Sequence, residues 1–387
     1  MWPQAKLKFV ARFGYGDALP TDESQDGPIR VFGSNGPYAA FTRPNTGAPA
    51  IVIGRKGSYG KINWTSEPCF ASDTTFFVDP STTRHQLRWI FWLLQTLRLD
   101  EGTDEAAVPG LSRDTAYSRD VPVPPLSQQS AIADYLDRET ARLDALVAAK
   151  ERVLGLLAEK RRALITRAVT RGLDPRAPLR DSGIAWLGEI PAHWETERTR
   201  WLFRERDERS VTGEEELLTV SHLTGVTLRS EKAVNMFEAE TTEGYKLCIA
   251  GDLVINTLWA WMGAMGVART NGIVSPAYNV YETGPRLNSD YIDSLVRLPV
   301  FAQEVTRYSK GVWSSRLRLY PEGFFEVYLP VPSLHEQGAI VKHILTESAK
   351  IDAMSIATER TIGLLKERRA ALIATAVTGQ IDVGPAA

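Results

Sequence analysis

The chain has 387 residues, of which 43% are apolar and 24% charged, a composition that fits a globular protein with two or three domains. Its formal charge of -2 excludes a uniformly basic nucleic-acid-binding protein, so a polyanionic partner would have to meet local positive charge. Cys69 and Cys248 are the only cysteines, which argues against a disulfide framework or a thiolate zinc site. The start MWPQAKLKFV lacks the apolar core of a signal peptide, and no apolar run is long enough to span a membrane. We therefore expect a cytoplasmic protein.

Residues 1–123 are predicted to form a first globular domain of short strands and tight turns. The segments IRVFGSNGPYAAF, PAIVIGRKGSYGKINW and TTFFV place β-branched and aromatic residues between Gly, Pro and Asn, as in strands joined by turns. Residues 84–99 are predicted to form an amphipathic helix.

Residues 124–172 are predicted to form a first spacer helix, and residues 332–380 a second one that repeats it. The windows that start at Pro124 and Pro332 are identical at nearly half of their positions, so each residue corresponds to the one 208 positions later (332 minus 124). Apolar residues recur about every 3.5 positions without an interrupting proline, which is typical of a coiled-coil seam. The predicted seam consists of Ile132, Leu136, Leu143, Leu146, Val153, Leu157, Leu164 and Ala168 in the first copy and Ile340, Ile344, Ile351, Met354, Leu365, Leu372 and Ala376 in the second.

The two spacer helices are predicted to pair with each other, because each has an apolar stripe to bury and no other segment of the chain has a comparable stripe. The stretch between them would fold into a domain with a radius of gyration of about 15 Å, which is shorter than a helix of roughly 55 Å. The second helix should therefore run antiparallel to the first. Gly155 and Gly363 occupy equivalent positions, which predicts a close approach of the helices there, with chance tolerance of glycine as the alternative. Ordinary core helices are the alternative to the coiled coil.

Residues 173–190 are predicted to be a linker, residues 191–331 a second globular domain, and residues 381–387 a tail. The second domain repeats the order of the first: WETERTRWLF corresponds to WPQAKLKFVA, GDLVINTLWAWMGAMGVA corresponds to the strand–turn–strand segment, and residues 288–308 supply the helix. The predicted fold class is α+β, with two globular domains separated by a long antiparallel two-helix coiled coil and related by a pseudo-two-fold internal repeat.

Three motifs resemble the specificity subunits of type I restriction-modification enzymes over essentially the full length. They are DSGIAWLGEIPAHWE, the V-P-x-L-x-x-Q approach to each helix, and the helix end ALITRAVTRGLD. The chain departs from the family pattern at Gln128, where the family usually has Glu, and at Trp2, which lacks the lead-in seen before Trp194. The resemblance implies two target-recognition domains that each read one half of a bipartite double-stranded DNA sequence.

The resemblance also implies the partners and cofactors of the chain. The helices would dock two methyltransferase subunits and, through them, the restriction and translocase subunits. No catalytic residue, metal or cofactor is expected on this chain, and S-adenosylmethionine is expected on the methyltransferase partner.

Candidate DNA contacts lie in turns and before the helices. Arginine pairs with guanine, asparagine with adenine, and lysine or serine with phosphate, whereas aromatic residues offer stacking or apolar contacts. A solvated hairpin, core packing and local salt bridges are the respective alternatives for the basic turn, the aromatic turn and the residues before the helices. The candidates are Asn35, Arg55, Lys56, Ser58, Tyr59, Lys61 and Arg113 in the first domain and Trp259, Trp261, Ser314, Ser315, Arg316 and Arg318 in the second.

Charged residues on the predicted outer faces of the helices are the candidate contacts with the methyltransferase. They occur in two equivalent sets, as expected for two copies of one partner. The residues are Lys150, Arg152, Lys160, Arg161, Arg368 and Arg369.

Two other functions stay open from the residues alone: a self-sufficient DNA methyltransferase and a general coiled-coil adaptor. The segment SPAYN at residues 275–279 is similar to the S-P-P-Y loop of amino-methyltransferases, but Ala277 replaces the second proline. ARFGYGD has glycines, yet nothing else in the chain completes a site for a methyl donor. The five histidines are scattered and assemble no metal site or nucleophile.

Overall fold

The computed structural model describes residues 2–20, 27–101, 110–232, 241–311 and 317–384. The chain forms two compact units: unit 1 comprises Met1–Val153 and Thr358–Ala387, and unit 2 comprises Leu154–Ala357. Each unit therefore contains part of both long helices. The domain limits predicted from the sequence instead treat each long helix as a segment separate from the globular domains, and those limits stay a prediction.

Unit 1 is built from short strands and short helices ahead of the first long helix. The elements are β1 (Gln4–Lys6), α1 (Leu7–Val10), β2 (Gly14–Tyr15), β3 (Ile29–Gly33), β4 (Gly36–Phe41), β5 (Ala50–Gly54), β6 (Ile62–Thr65), β7 (Phe70–Ala71), β8 (Thr75–Val78), α2 (Leu87–Thr96), α3 (Arg113–Tyr117), β9 (Asp120–Pro122) and the long helix α4 (Leu126–Arg171), which continues into unit 2.

Unit 2 follows the first long helix and leads into the second. Its elements are β10 (Leu179–Asp181), β11 (Glu189–Pro191), β12 (Glu195–Arg198), β13 (Phe203–Arg206), β14 (Leu218–Ser221), β15 (Gly225–Leu228), β16 (Lys246–Cys248), β17 (Leu253–Asn256), β18 (Met265–Val267), β19 (Gly272–Val274), β20 (Tyr278–Thr283), α5 (Ser289–Val296), α6 (Pro299–Arg307), α7 (Pro321–Phe324), β21 (Tyr328–Val331) and the long helix α8 (Leu334–Thr378), with 3-10 turns at Thr199–Trp201, Arg229–Glu231 and Ala260–Met262.

The same antiparallel sheet occurs in both units. Its order is β2-β8-β5-β6 in unit 1 and β13-β20-β17-β18 in unit 2, and a two-stranded pair, β1-β9 or β12-β21, leads into each long helix. The central strands β5 and β17 are buried along their whole length, since Ala50–Gly54 and Leu253–Asn256 are almost entirely apolar. The predicted α+β fold and internal repeat are therefore confirmed at the level of the sheet.

A buried glutamine fixes the start of each long helix to the body of its unit. Gln129 donates to the Pro124 carbonyl (2.8 Å) and accepts from the backbone N–H of Gln86 (2.9 Å), the residue that caps α2. Gln337 makes the same two bonds, to the Pro332 carbonyl (2.8 Å) and from the backbone N–H of Asn288 (2.7 Å), the cap of α5.

Each unit contains the start of one long helix and the end of the other, and a glycine follows each helix end. Gly172 and Gly379 adopt positive φ angles of 70° and 74°, as helix-ending glycines commonly do. A Cβ at Gly172 would lie 3.2 Å from the Trp194 ring, and one at Gly379 would lie 3.0 Å from the Trp2 ring. Trp2 and Trp194 thus take the same position, each against the glycine that ends a long helix.

Ion pairs show that the long helices run antiparallel within each unit. In unit 1, Asp144 pairs with Arg369 (2.9 Å) and Glu151 pairs with Lys366 (3.8 Å). From the first pair to the second, the residue number rises on α4 and falls on α8. In unit 2, Arg161, which lies further along α4 than Glu151, pairs with Asp352 and donates to the Ser348 carbonyl (3.1 Å), and both of these residues come before Lys366 on α8, so the same order continues.

The interhelical ion pair is itself duplicated. Arg161 corresponds to Arg369 and Asp144 to Asp352, each 208 positions apart, so the internal repeat extends to this contact. The antiparallel pairing predicted from the sequence is confirmed.

Three expectations about helices are wrong. A Cβ at Gly155 or Gly363 would meet nothing within 4 Å, so these glycines do not mark a close approach of the two helices. The seam prediction fails at Leu146, Val153 and Met354, which are exposed because a pair of helices encloses a narrower stripe than the sequence pattern offers. Residues 288–308 form two helices, α5 and α6, since the proline that starts α6 cannot continue α5.

Candidate nucleic-acid interface

The loop after the central strand occupies the same place in both units. In unit 1 the backbone N–H of Leu111 donates to the Arg55 carbonyl (2.8 Å), and in unit 2 the N–H of Leu319 donates to the Thr257 carbonyl (3.1 Å). The chain that precedes α3 or α7 therefore lies beside this loop. We call residues 55–61 loop 1 and residues 257–263 loop 2.

Two arginines lie against the ring of one exposed tyrosine, Tyr15, next to loop 1. The guanidinium carbon of Arg55 is 5.1 Å from the Tyr15 ring centroid, and that of Arg113 is 4.9 Å from the same centroid. The Tyr117 ring is 5.7 Å from Arg113, and Arg55 also donates to the Asp73 carbonyl (3.3 Å). Stacking on aromatic rings holds both guanidinium groups while leaving N–H donors for a ligand.

The remaining candidates of unit 1 are mostly exposed. Lys61 donates to the backbone carbonyl and to the side-chain oxygen of Asn35, both at 2.8 Å, so the structure brings these two candidates together. Lys56 and Ser58 are exposed, whereas Tyr59 is partly buried and packs against the core. Among the residues that the structure describes in unit 1, no carboxylate forms an ion pair with Arg55, Lys56, Lys61 or Arg113.

Loop 2 has the opposite chemistry. Trp259 is 50% exposed and stacks on Trp261, with ring centroids 6.1 Å apart and an interplanar angle of 22°. Trp261 is half-buried, and its indole N–H donates to the Leu258 carbonyl (3.0 Å). Leu258 and Met262 are exposed beside them, so core packing does not account for this loop.

Arg318 lies beside loop 2, one residue before Leu319. It is exposed and exchanges both backbone hydrogen bonds with Lys310 (2.9 Å each), an exposed cation that the sequence did not single out. Arg318 therefore takes the place that Gly110 has in unit 1, one residue before the leucine that is bonded to the loop. Ser314, Ser315 and Arg316 lie outside the described residues.

Two of the six candidate partner contacts do not lie on the outer face of the helices. Arg161 and Arg369 form the interhelical ion pairs, because each reaches across to an aspartate of the facing helix. Arg152, Lys160 and Arg368 are exposed, and Lys150 is half-buried.

Exposed apolar residues on the long helices also occur at equivalent positions, and the sequence pattern did not reveal their exposure. Periodicity alone does not show which apolar residues a facing helix covers, so Leu146 and Met354 had been included in the seam. The matched pairs are Leu126 and Leu334, Leu146 and Met354, and Leu156 and Leu364.

The other polar features of unit 2 serve its interior. Asn279, in the segment SPAYN, is buried and accepts from the buried Lys246 ammonium (3.4 Å). Arg206 forms a buried pair with Asp252 (2.8 Å), which raises the pKa of the arginine.

No group of three or more His, Cys, Asp or Glu side chains that could hold a metal ion occurs in the part of the chain that the structure describes. Within that part, none of the helices combines the length and the apolar character needed to cross a bilayer.

The layout of two sheet-bearing units, each with segments of two long antiparallel helices, is similar to the fold of type I restriction-modification specificity subunits. The fold comparisons support this class: the chain superimposes on the HsdS subunit from Thermoanaerobacter tengcongensis with a TM-score of 0.55, 15% identity, and coverage of 98% of this chain and 97% of that one. A second solved structure, described as showing complex assembly and conformational transition of the type I R-M system, gives a TM-score of 0.60 at 16% identity, with 98% of both chains covered.

A curated relative agrees with the structural comparison. The chain is 20% identical to the type I restriction enzyme EcoBI specificity subunit of Escherichia coli over 353 residues, which covers 86% of this chain and 73% of the relative. No family model matches the chain. The resemblance to type I specificity subunits that the sequence motifs indicate is confirmed.

Proposed function

We propose that the chain is the DNA-recognition subunit of a type I restriction-modification complex and reads a bipartite target with one unit per half-site. The observation that carries the proposal is the repeated placement of loop 1 and loop 2 after the same central strand, with basic chemistry in one and apolar chemistry in the other. Equal frames with unlike loops suit two different half-sites on one DNA molecule.

Unit 1 offers direct readout through Arg55 and Arg113. A guanidinium group held by an aromatic ring keeps its planar donors in one orientation, as bidentate pairing with guanine requires. Lys56 and Ser58, exposed on the same loop, suit phosphate contacts that position the protein without reading sequence.

The long helices offer two equivalent docking patches for one kind of partner. In unit 1, Leu146 and Leu364 lie within about one helical turn of each other along the pair, because the ion pairs of Asp144 and Glu151 fix the register. The equivalent patch in unit 2 consists of Leu156 and Met354. Two matched apolar patches suit two copies of the methyltransferase subunit, and through them the restriction and translocase subunits.

A matched aromatic in each unit adds to this partner surface. Phe9 and Trp201 are each 72% exposed and lie in the helical turn that follows β1 or β12, beside the basic residues Lys8 and Arg200. Exposed aromatics next to arginine or lysine are typical anchors of protein interfaces. Because the two units share this feature but not their loops, we assign it to the partner that both units would meet in the same form.

The chain itself would carry no catalytic step. Methyl transfer would take place on the methyltransferase subunits, which would hold S-adenosylmethionine, in the cytoplasm where the host DNA lies. The specificity subunit would contribute binding, orientation and target choice.

Domain exchange tests the assignment of half-sites. Residues 191–330 are replaced by the equivalent segment of a relative with a different target, and methylation in a host that carries the system is mapped by single-molecule sequencing. We expect one half of the methylated sequence to change and the other to persist. A change in both halves would show that the units read DNA jointly, and unchanged methylation would contradict a role in recognition.

Native mass spectrometry tests the partner surface. Co-expression with the methyltransferase should give two methyltransferase copies per chain, and Leu146→Ser with Leu364→Ser should lower this to one. The matched pair Leu156→Ser with Met354→Ser should have the same effect, and combining all four should leave the chain alone. Saturation at one copy for the unaltered chain would contradict the proposal.

A further inference from the structure

Loop 2 presents apolar side chains from a fixed backbone. The N–H groups of Leu258 and Trp259 donate to the side-chain oxygen (3.2 Å) and backbone carbonyl (3.0 Å) of Asn256, at the end of the central strand. Ala260 is fully buried, and Gly263 closes the turn with a φ of 86°. Leu258, Trp259 and Met262 therefore point outward from a turn that is anchored at both ends.

The outermost ring of this loop is supported from behind. Trp259 stacks on Trp261, whose indole N–H already has the Leu258 carbonyl as its acceptor. The Trp261 indole N–H is therefore already satisfied within the protein, and the Trp261 ring supports the Trp259 ring by stacking. Tyr320, which follows Leu319 beside the loop, is also exposed and extends the apolar surface.

Positive charge flanks this apolar tip. Lys310 and Arg318 are exposed and form an isolated β-bridge with each other, and Arg318 directly precedes Leu319, the residue bonded to Thr257 of loop 2. In the described part of unit 2 neither cation forms an ion pair with a carboxylate. Cations beside an apolar projection suit a duplex, where phosphates border the stacked bases.

We propose that Trp259 inserts as a wedge between two neighbouring base pairs of the second half-site, while Lys310 and Arg318 hold the adjacent phosphates. This inference rests on the proposed function and specifies how unit 2 reads its half-site. Inserted apolar side chains partially unstack a step and kink the duplex by about 20–90°. The cost of unstacking is lowest at pyrimidine–purine steps, so such a step should lie in the second half-site and contribute specificity without a hydrogen bond to a base edge.

The test uses the full-length chain assembled with its methyltransferase and a duplex that carries the target defined by methylation mapping. Bending is measured by energy transfer between dyes at the two ends of the duplex, and unstacking by the fluorescence of 2-aminopurine placed at the candidate step. The unaltered complex should bend the duplex and brighten the 2-aminopurine. Trp259→Ala should abolish both signals and weaken binding by about tenfold or more.

Three controls separate the possible outcomes. Trp259→Phe should retain most of the bend, and Leu223→Ala, an exposed apolar residue elsewhere in unit 2, should leave both signals unchanged. Replacing thymine by uracil at the step removes only a methyl group and should have no effect. If uracil weakens binding as much as Trp259→Ala and no bend is seen, the loop contacts thymine methyl groups and the wedge is excluded.

The outcome for the wedge is independent of the outcome for the proposed function. A complex that binds and methylates its target without bending it, and whose Trp259→Ala variant does the same, overturns the wedge but leaves recognition by unit 2 intact. A complex that shows no preference among duplexes overturns the proposed function itself.

Discussion

Units 1 and 2 are alike where they hold the long helices and unlike where they face a ligand. Both have a buried glutamine at a helix start, a glycine under a tryptophan at a helix end, and the same central sheet. Loop 1 is basic, and its Arg55 stacks on Tyr15 together with the neighbouring Arg113, whereas loop 2 is apolar and its Trp259 stacks on Trp261. These three shared features are largely buried and bear on folding, whereas loops 1 and 2 are exposed, so the two units present different chemistry on a common frame.

The largest expected effect tests whether the frames are equivalent. Gln129→Leu and Gln337→Leu each leave a part-buried backbone N–H and a buried carbonyl without the glutamine partner. Such unsatisfied groups cost about 1–3 kcal/mol each, so each variant should lower the free energy of unfolding by roughly 3 kcal/mol. Urea denaturation followed by tryptophan fluorescence measures both losses.

Gln128→Leu is the matched control for this comparison. Gln128 is exposed and adjacent to Gln129, so its replacement should change the free energy of unfolding little. A large loss for one glutamine and none for the other would show that the two helix starts are not equivalent.

The next effect tests the contrast between the loops. Arg55→Ala should weaken DNA binding by about 1–3 kcal/mol and relax base preference at one position of the first half-site. Lys56→Ala should weaken binding to all sequences and reduce the slope of affinity against salt by about 1, because one phosphate contact is lost. Trp259→Ala should leave that slope unchanged, since an uncharged ring releases no counterion.

Salt titrations of the assembled complex on one duplex measure these slopes. Ser58→Ala on loop 1 is the control, because it alters the loop without changing its charge. A slope that falls as much for Trp259→Ala as for Lys56→Ala would contradict the assignment of basic readout to unit 1 and apolar readout to unit 2.

The sequence predicts the repeat better than the exposed surface, for a physical reason. Periodicity and identity between the two helix copies are sufficient to predict antiparallel pairing, because pairing follows from the need to bury a stripe. They do not show how wide that stripe is, so Leu146 and Met354 were assigned to a seam that leaves them exposed. Arg161 and Arg369 carry the same charge as their outward neighbours, and only the register of the facing helix makes them interhelical.

The candidate site shows the same limit. Arg55 and Arg113 are visible in the sequence as cations near turns, but Tyr15, whose ring both of them contact, is distant along the chain and belongs to an edge strand. The sequence does not single out Lys310, because its relation to Arg318 depends on the backbone hydrogen bonds between these two residues. Contacts between distant loops are set by the sheet beneath them, and local pattern does not encode them.

A smaller effect concerns the glycines that interrupt both helices. Gly155→Ala and Gly363→Ala should each raise the free energy of unfolding of the isolated chain by about 1 kcal/mol, since the added Cβ meets nothing within 4 Å. Gly172→Ala is the contrasting control and should be destabilising, because Gly172 has a positive φ and lies against Trp194. Thermal denaturation of the three variants gives the comparison.

Gly155→Ala and Gly363→Ala also test where a methyltransferase helix would contact the long helices. If a partner helix approaches closely at these glycines, Gly155→Ala and Gly363→Ala should weaken methyltransferase binding while stabilising the isolated chain. Stabilisation of the chain with unchanged binding would place the partner helix away from Gly155 and Gly363.

The smallest expected effect distinguishes the two glutamine networks by pH. In unit 1 the Gln129 amide also contacts His85 Nδ1 (2.9 Å), whereas in unit 2 the Gln337 amide donates to the Arg286 carbonyl (2.9 Å) and Leu287 takes the place of the histidine. Burial lowers the pKa of His85. The folded chain thus favours the neutral imidazole, which accepts from the Gln129 amide.

Because the folded pKa of His85 lies below its unfolded value of about 6.5, the chain should lose stability as the pH falls from that value through the folded pKa. The loss should be smaller than the effect of the glycine variants, since His85 is only partly buried. His85→Leu, which copies Leu287, should remove this part of the pH dependence, and His335→Leu on the exposed start of α8 should not. Urea midpoints of the three chains between pH 5 and pH 8 measure the difference, and a His85→Leu chain that loses as much stability on acidification as the unaltered one would show that the unit 1 network does not respond to protonation.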